Sequence, residues 1–350
     1  MNSSQDVERN IEFEFVRATE NAALNSIHWL GRGNKEAADE AACDAINGVF
    51  DLVDIRGEVV IGEGIKDNAP GIFLGDKLGT WKDGSPRFDI ALDPIDGTSN
   101  ISKGLPNSIS VMACAHVPDG NSHGMVHIPS FYSEKLAYGP AVKDAIAATK
   151  IPPLTLEMNF GEVMTFAAAA LNKRISELVV VMLDRPRNQK YLETVRQQGS
   201  ALRLISDGDI AAAVAPSLPD SGVDLYVGIG GAPEGILTAA ALKALGGGMQ
   251  LRMWPRDEPE RNELLKTVTE KDLAHIYSTD ELVLGESAIF CATGISDSPL
   301  LPGVKLVGKT AITHSILMRA RSQTVRYIRA VHNLNTKTIH LRSTKREANV

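Results

Sequence analysis

The sequence predicts an α/β protein, and three strand–turn–helix units in its second half carry that prediction. Residues 178–183 form a continuous apolar run, typical of a strand that is covered on both faces, and residues 202–206 and 225–229 read as further strands. Each is followed by a polar turn and a helical stretch, the last of which reaches residue 245. Consecutive units of this kind imply right-handed crossovers and an open α/β sheet. Such sheets bind ligands at the carboxyl ends of their strands, where the polar turns lie.

The composition indicates a globular protein of a reducing compartment. The 350 residues are 43% hydrophobic, enough for a sizeable core and about two domains. A net charge of −7 argues against nucleic acid as the main partner, because phosphate backbones favour a basic surface. Cys43, Cys114 and Cys291 lie far apart, so neither a disulfide framework nor a zinc–thiolate site is expected. The charged first twenty residues exclude a signal peptide and no apolar run would span a bilayer, so we expect a cytoplasmic protein without a membrane partner.

A domain boundary is predicted near residue 155. Residues 143–156 lose their periodicity and contain Pro152-Pro153, which favours a change of architecture. We therefore predict an α+β domain over residues 1–155, an α/β domain over residues 156–342 and a flexible tail over residues 343–350.

Spacing and caps predict the first two helices. Apolar residues recur at helical spacing up to Leu30, and the glycines at positions 31 and 33 end that helix. Asn34 can cap the next helix, on which Lys35 and Asp39 lie four residues apart on one face. Lys35 and Asp39 could form an ordinary surface ion pair. The carboxylates that follow them in the sequence favour a ligand-binding site instead.

The first of those carboxylates stands between two glycines. Residues 59–61 form a short apolar strand, and Glu63 follows it between Gly62 and Gly64, which lets the backbone approach a ligand closely. Asp67 lies four residues beyond Glu63. A turn without a ligand is the alternative interpretation.

The strand over residues 88–92 leads into two carboxylates three positions apart, Asp93 and Asp96. The intervening proline holds Asp93 extended and Gly97 permits a sharp turn, so both carboxylates can point to one side. From Thr98 onward, backbone N–H groups can cradle a phosphate. The oxygen atoms of these side chains suit hard cations such as Mg²⁺ or Mn²⁺. The alternative interpretation is a polar turn without a ligand, in which the aspartates accept hydrogen bonds from their own backbone.

Further extended segments are predicted over residues 107–115, 125–132, 282–293, 312–320 and 324–332. Short turns that contain charged residues follow the three strands of the open sheet: Arg185, Pro186 and Arg187, then Asp207, Gly208 and Asp209, then Gly231 and Glu234. The arginines can clamp a phosphate and the aspartates can bind hydroxyls, although a solvated turn and helix caps would explain them too. Glu234 suits a first helical turn in either case, and beside a pyrophosphate it would be repulsive, which argues against dinucleotide binding.

Together these motifs resemble the class II fructose-1,6-bisphosphatases of bacteria, which belong to the lithium-sensitive, metal-dependent phosphomonoesterases. The resemblance rests on six motifs in the right order and covers about residue 10 to about residue 340; the motifs are residues 34–39, 62–64, 93–98, 185–187, 207–209 and 230–235. It implies a layered α/β/α/β/α sugar-phosphatase fold, in which the first predicted domain binds metal and the second binds substrate. It also implies a homo-oligomer, a dimer or a tetramer.

The resemblance further implies two divalent ions, Mn²⁺ or Mg²⁺, held by five carboxylates. Asp39 and Glu63 would hold one ion, and Asp93, Asp96 and Glu234 the other. Many relatives have Glu at the position of Asp96, so this shorter side chain contacts its ion either directly or through water. The implied catalytic residues are Thr98 with Asp67, which would orient or deprotonate the attacking water, and Lys35, which would add positive charge. The implied substrate-binding residues are Asp96, Gly97, Thr98, Tyr132, Arg185, Pro186, Arg187, Asp207, Gly208, Asp209 and Gly231.

The implied activity is hydrolysis of the 1-phosphate of fructose 1,6-bisphosphate, a small-molecule sugar bisphosphate, to fructose 6-phosphate and inorganic phosphate in gluconeogenesis. Activity on sedoheptulose 1,7-bisphosphate or on an inositol phosphate is an alternative within the same class. The turns at residues 185–187, 207–209 and 230–235 favour a bisphosphatase over the inositol enzyme. A non-catalytic sugar-phosphate or nucleotide-binding protein is the alternative of a different class, and so many carboxylates around a phosphate would make it a poor binder without metal.

Overall fold

The computed structural model describes residues 7–62, 71–118, 123–149 and 154–342. Its helices are α1 Val7–Ser26, α2 Lys35–Phe50, α3 Thr98–Lys103, α4 Pro140–Ala148, α5 Phe160–Ala170, α6 Gln189–Gln197, α7 Asp209–Val214, α8 Ala232–Leu245, α9 Glu258–Leu264, α10 Glu270–Ala274 and α11 Thr279–Leu282. Its strands are β1 Arg56–Ile61, β2 Lys77–Leu78, β3 Arg87–Asp96, β4 Ile109–His116, β5 Tyr132–Tyr138, β6 Val179–Leu183, β7 Ala201–Ile205, β8 Leu225–Gly231, β9 Gly248–Met253, β10 Tyr277–Ser278, β11 Ala288–Gly294, β12 Lys305–Val307, β13 Thr310–Arg319 and β14 Thr324–Asn333.

The strands form two mixed sheets. The first has the order β12-β13-β11-β4-β3-β1-β2, with β14 paired to the free side of β13. The second has the order β10-β9-β5-β8-β6-β7. In it β6 lies parallel to both β7 and β8, as the three strand–turn–helix units predict, whereas β5 runs antiparallel to β8.

Helices and sheets alternate as layers because neighbouring residues of each strand face opposite sides. In the first sheet, Ile90 and Leu92 pack against the layer of α1 and α2, whereas Ala91 packs against α8. In the second sheet, Ala137 faces α7 and α8, and Leu136 faces the outer layer of α4, α5 and α6. Helix α8 contacts β3 and β4 on one side and β5 and β9 on the other, so it forms the middle layer. The layered α/β/α/β/α prediction is therefore confirmed.

Two of the predicted extended segments are wrong in part. In the segment predicted over residues 282–293, Leu282 is the last residue of α11, which Ser278 caps by accepting from the N–H of Glu281, and the strand begins only at Ala288. Between residues 125 and 131 only Met125 makes a strand-type bridge, and β5 begins at Tyr132. Pro129 lacks the N–H that a ladder needs, which explains the late start.

The sheets do not follow the predicted division at residue 155. Strand β5 belongs to the second sheet although it precedes residue 155, and β11 to β14 return to the first sheet. The two domains stay a prediction, and the boundary motif Pro152-Pro153 and the tail 343–350 lie outside the described residues. Within the ranges described, no helix is both long and apolar enough to cross a membrane.

Candidate active site

A single cleft between the two sheets collects most of the predicted site residues. It encloses about 790 Å³ and lies where β3, β6, β7 and β8 end and β5 begins. The predicted residues that line it are Asp39, Asp93, Asp96, Gly97, Thr98, Tyr132, Arg185, Arg187, Asp207, Gly208, Asp209, Gly231 and Glu234. The fold therefore brings together side chains from both halves of the chain.

Strand β3 delivers the two aspartates of its C-terminal end to the cleft wall. The register with β4 shifts between Asp93 and Asp96, so the strand bulges at the point where the acids leave it. The N–H of Ile95 donates to Asp93 Oδ1 (3.0 Å), and the N–H of Ile210 donates to Asp96 Oδ2 (3.1 Å). Gly97 then turns the chain with a φ of +94° into α3, as the sequence predicts for a glycine at this position.

The acids of the cleft act on one another electrostatically. Burial raises the pKa of Asp93 well above its ordinary value, and the charges of Asp96, Glu234 and Asp39 raise it further. Burial likewise raises the pKa of Asp96, with added repulsion from Asp209, Glu234 and Asp207. The pKa of Glu234 is also raised, first by burial and then by Asp209. Acidic side chains from distant parts of the sequence thus repel one another in the cleft. Cations brought into the cleft would relieve this repulsion.

The donor set fits hard divalent cations. Glu234 Oε2 is buried and accepts no hydrogen bond from any described residue, so one carboxylate oxygen is available as a ligand. All the acidic groups offer oxygen, which Mg²⁺ and Mn²⁺ prefer. Within the described ranges no three His, Cys, Asp or Glu side chains already form a metal-holding group. Two predicted residues, Glu63 and Asp67, lie outside the described residues, and Gly62, which lines the cleft, directly precedes Glu63.

Another part of the cleft wall is basic and aromatic. The guanidinium of Arg187 lies 4.4 Å from the centre of the Tyr132 ring, and its Nε donates to the carbonyl oxygen of Ile229 (2.9 Å). Arg185 approaches Asp207, with 4.0 Å between Nη2 and Oδ1. Pro186 does not line the cleft; it starts the 3₁₀ turn Pro186–Asn188 between the two arginines. Arg185 and Arg187 therefore both line the cleft, and Arg187 stacks on the ring of Tyr132.

Like Pro186, Lys35 is a predicted and described site residue that does not line the cleft. Its side chain is exposed, and its Nζ lies 3.9 Å from Glu36 Oε1. The predicted cap is confirmed, since Asn34 accepts a hydrogen bond from the N–H of Ala37 (3.0 Å). The catalytic role of Lys35 stays a prediction.

Sequence reasoning missed three residues beneath the cleft surface. Lys135 is fully buried and donates to Asp209 Oδ2 (2.6 Å), and the hydroxyl of Tyr226 donates to the same oxygen (3.0 Å). Asn107 donates from Nδ2 to the carbonyl oxygens of Asp207 (2.7 Å) and Gly208 (2.8 Å). The charged pair Glu134-Lys135 inside an otherwise apolar strand was the available signal for Lys135, because buried charges require partners.

Comparison with known proteins agrees with this geometry over nearly the whole chain. A family model described as bacterial fructose-1,6-bisphosphatase, glpX-encoded, matches residues 9–332. A class 2 fructose-1,6-bisphosphatase of Haemophilus influenzae is 38% identical over 338 residues, covering 93% of this chain and 97% of the relative. The fructose-1,6-bisphosphatase 1 class 2 of Escherichia coli K12 is 37% identical over 340 residues, covering 94% and 97%. The chain therefore belongs to the family of bacterial class 2, glpX-encoded fructose-1,6-bisphosphatases.

Proposed function

We propose that the protein hydrolyses the 1-phosphate of fructose 1,6-bisphosphate, yielding fructose 6-phosphate and inorganic phosphate, as a step of gluconeogenesis. The observation that carries this proposal is the cleft itself, which is lined both by Asp39, Asp93, Asp96 and Glu234 and by Arg185 and Arg187. Family membership over residues 9–332 supports the same activity.

The acidic part and the basic part of the cleft wall suit the two ends of a sugar bisphosphate. Arginine binds phosphate through parallel hydrogen bonds, so Arg185 and Arg187 are placed to hold one phosphate, with Tyr132 against the sugar. An acidic wall would repel the second phosphate unless cations stand between them. A bisphosphate that bridges the walls therefore needs divalent ions on the acidic side.

The residues that would hold these ions are the five carboxylates named from the sequence. Asp39 and Glu63 would hold one Mn²⁺ or Mg²⁺, and Asp93, Asp96 and Glu234 a second. When bound, such a pair of ions neutralises phosphate oxygens, lowers the pKa of a water molecule and stabilises the leaving alkoxide.

The chain's own groups supply the positioning. Thr98 opens α3 beside the acids, and its hydroxyl, with Asp67, would orient or deprotonate the attacking water. Asp207 is fixed for contact with the sugar by the N–H of Ser99, which donates to its Oδ2 (3.0 Å). Gly208 and Gly231 contribute backbone, and Lys35 would add positive charge from α2.

A Thr98→Ala variant tests the proposed role of that hydroxyl. We expect kcat to fall about 100-fold or more and KM to rise much less, because the lost hydroxyl acts mainly on the attacking water, although Thr98 is also an implied contact of the substrate phosphate. Steady-state kinetics at saturating Mn²⁺ measures both constants. Unchanged kcat at ordinary protein and metal concentrations would remove Thr98 from the mechanism.

Phosphate release tests the activity as a whole. The purified protein is assayed with fructose 1,6-bisphosphate, sedoheptulose 1,7-bisphosphate and inositol 1-phosphate, each with Mg²⁺, with Mn²⁺ and with chelator. We expect metal-dependent release from the fructose ester and none from the inositol ester, because only a bisphosphate reaches both walls. Binding of the fructose ester without any phosphate release would favour the non-catalytic alternative.

We also propose that the protein is a dimer or a tetramer and that it is located in the cytoplasm. Val307, Tyr327 and Val331 are exposed apolar side chains on the last strands of the first sheet, which suits contact between subunits. Light scattering on the eluting protein measures the mass, and a monomer at micromolar concentration would contradict this part.

A further inference from the structure

Lys135 lies at the centre of a buried polar cluster under the cleft. Among the lysines of the described ranges it alone is fully buried, on β5 in the middle of the second sheet. Its Nζ donates to Asp209 Oδ2 (2.6 Å) and to the carbonyl oxygen of Gly231 (2.9 Å). A buried ammonium group costs several kcal/mol unless it is paired in this way, so its position reflects specific partners.

These two bonds join the turns that follow β7 and β8. Asp209 is the first residue of α7, directly after the turn that follows β7, and Gly231 is the last residue of β8, three residues before Glu234. Both turns supply predicted substrate or metal groups to the cleft, whereas Lys135 itself does not line it. Lys135, which lies on a third strand, therefore links the segment after β7 to the end of β8.

The surroundings leave room for this contact and for little else. A Cβ at Gly230 would overlap Asp209 Oδ2 and would lie 3.0 Å from Lys135 Nζ. The hydroxyl of Tyr226 donates to the same oxygen of Asp209 from the next strand (3.0 Å). Because Asp209 Oδ2 already accepts from an ammonium and a phenol, this oxygen is a structural anchor rather than a contact for the sugar.

We infer that Lys135 is a positioning residue: it fixes the turns after β7 and β8 at the separation that lets Asp207, Gly208, Gly231 and Glu234 act on one substrate. This inference rests on the proposed function for its kinetic consequence, but its structural part concerns the protein alone. An ion pair that only balances charge would stabilise the whole fold without ordering these two turns in particular.

Two isosteric variants separate these roles. Lys135→Met removes the cation, and Asp209→Asn removes the anion while Lys135 keeps the carbonyl of Gly231. Lys173→Met is the matched control, because Lys173 also forms a 2.6 Å ion pair, with the buried Asp224, away from the cleft. Amide hydrogen exchange is measured on the metal-free proteins, and kinetics with fructose 1,6-bisphosphate at saturating Mn²⁺.

In the two test variants we expect exchange to rise about tenfold or more at residues 207–210 and 230–234, with smaller changes elsewhere. Lys173→Met should leave both turns unchanged. For the test variants KM should rise about tenfold or more, and kcat should fall less than KM rises, because the turns mainly bind the sugar. If Lys135→Met fails to fold, Asp209→Asn decides alone.

Unchanged exchange in both turns, or a uniform rise along the chain, would overturn the inference. Wild-type protein that releases no phosphate would instead refute the proposed function, and the exchange data would still decide the role of Lys135.

Discussion

At the scale of single residues, Asp93 is placed where its charge opposes folding. Burial and three acidic neighbours raise its pKa, so the folded protein holds its proton more tightly than the unfolded chain does. The stability of the metal-free protein should therefore fall as the pH rises from the ordinary aspartate value of 3.8 towards the raised pKa of Asp93. The proposed binding of cations would offset this repulsion.

Asp93→Asn should make the metal-free protein more stable at pH 8 while reducing activity. We expect the melting temperature to rise by about 1–3 °C, since one repelling charge is removed. We expect kcat/KM to fall about 100-fold or more, since a predicted metal ligand is lost. Calorimetry and phosphate release measure the two effects.

Asp54→Asn is the control for that variant. Asp54 is an exposed acid whose pKa is lowered, mainly by a hydrogen bond from Lys82 and then by one from Thr80. Its charge supports folding above the ordinary pKa, so its loss should not raise the melting temperature. A melting temperature for Asp93→Asn no higher than wild type at pH 8 would contradict the repulsion argument.

Gly231 is required for the space that Glu234 occupies. A Cβ at this position would overlap the Glu234 carboxylate, so this carboxylate would have to move away from its present position. We expect Gly231→Ala to lower kcat/KM about 100-fold and to change the melting temperature by less than about 2 °C. Gly161→Ala, whose Cβ would meet the flexible end of Gln198 at 3.0 Å, is the control and should keep its activity. Full activity in Gly231→Ala would mean that Glu234 is not needed where it lies.

At the scale of elements, a polar junction joins the segment between β3 and β4, which contains α3, to the turn after β7. Asn107 holds the carbonyls of Asp207 and Gly208, and Asn100 Nδ2 donates to the carbonyl oxygens of Asn107 (3.1 Å) and Asp207 (3.2 Å). Asn107 adopts a φ of +76°, which an ordinary side chain avoids. The junction fixes one sheet against the other at the cleft.

Replacing Asn107 by Ala and by Gly separates the bonds from the backbone strain. Both variants lose two hydrogen bonds to the turn, so KM for fructose 1,6-bisphosphate should rise about tenfold in each. Asn107→Gly should be more stable than Asn107→Ala by about 1 kcal/mol, because only glycine tolerates the positive φ freely. Urea unfolding measures the difference, and equal stabilities would show that strain at this position is negligible.

At the scale of the whole molecule, buried ion pairs connect the start of the described chain to its last strands. Glu8 on α1 accepts from Arg319 Nη2 on β13 (2.8 Å) and from the hydroxyl of Ser287, and Arg319 Nε lies 3.5 Å from Glu12 Oε2. All three charged side chains are buried. Helix α1 is thereby fastened across the first sheet, far from the cleft.

Arg319→Met should destabilise the protein without changing its kinetics. Glu8 and Glu12 would remain as buried acids that have lost their main partner, which costs about 3–5 kcal/mol. Arg321→Met is the control: Arg321 is largely exposed and lies 3.7 Å from Glu8, so its loss should cost at most about 1 kcal/mol. Urea unfolding and steady-state kinetics test both variants, and similar stabilities would contradict the buried-pair argument.

Sequence alone determined the local elements and the residue types of the site. The three strand–turn–helix units, the Asn34 cap and the turn at Gly97 follow from periodicity and backbone chemistry, which act over a few residues. Apart from Asp39 on α2, the acids and arginines stood out because they stand at or just after the end of a strand, and ligands of open α/β sheets bind at such ends.

Only the tertiary structure decided which of these groups meet and what holds them. It placed β5 in the second sheet and β11 to β14 in the first, and it paired Lys135 with Asp209 across 74 positions and Asn107 with Asp207 across 100. Such contacts leave no periodic trace in the sequence, because they depend on how whole layers pack rather than on neighbouring residues. Their energy also depends on burial, which is fixed only once the core has formed.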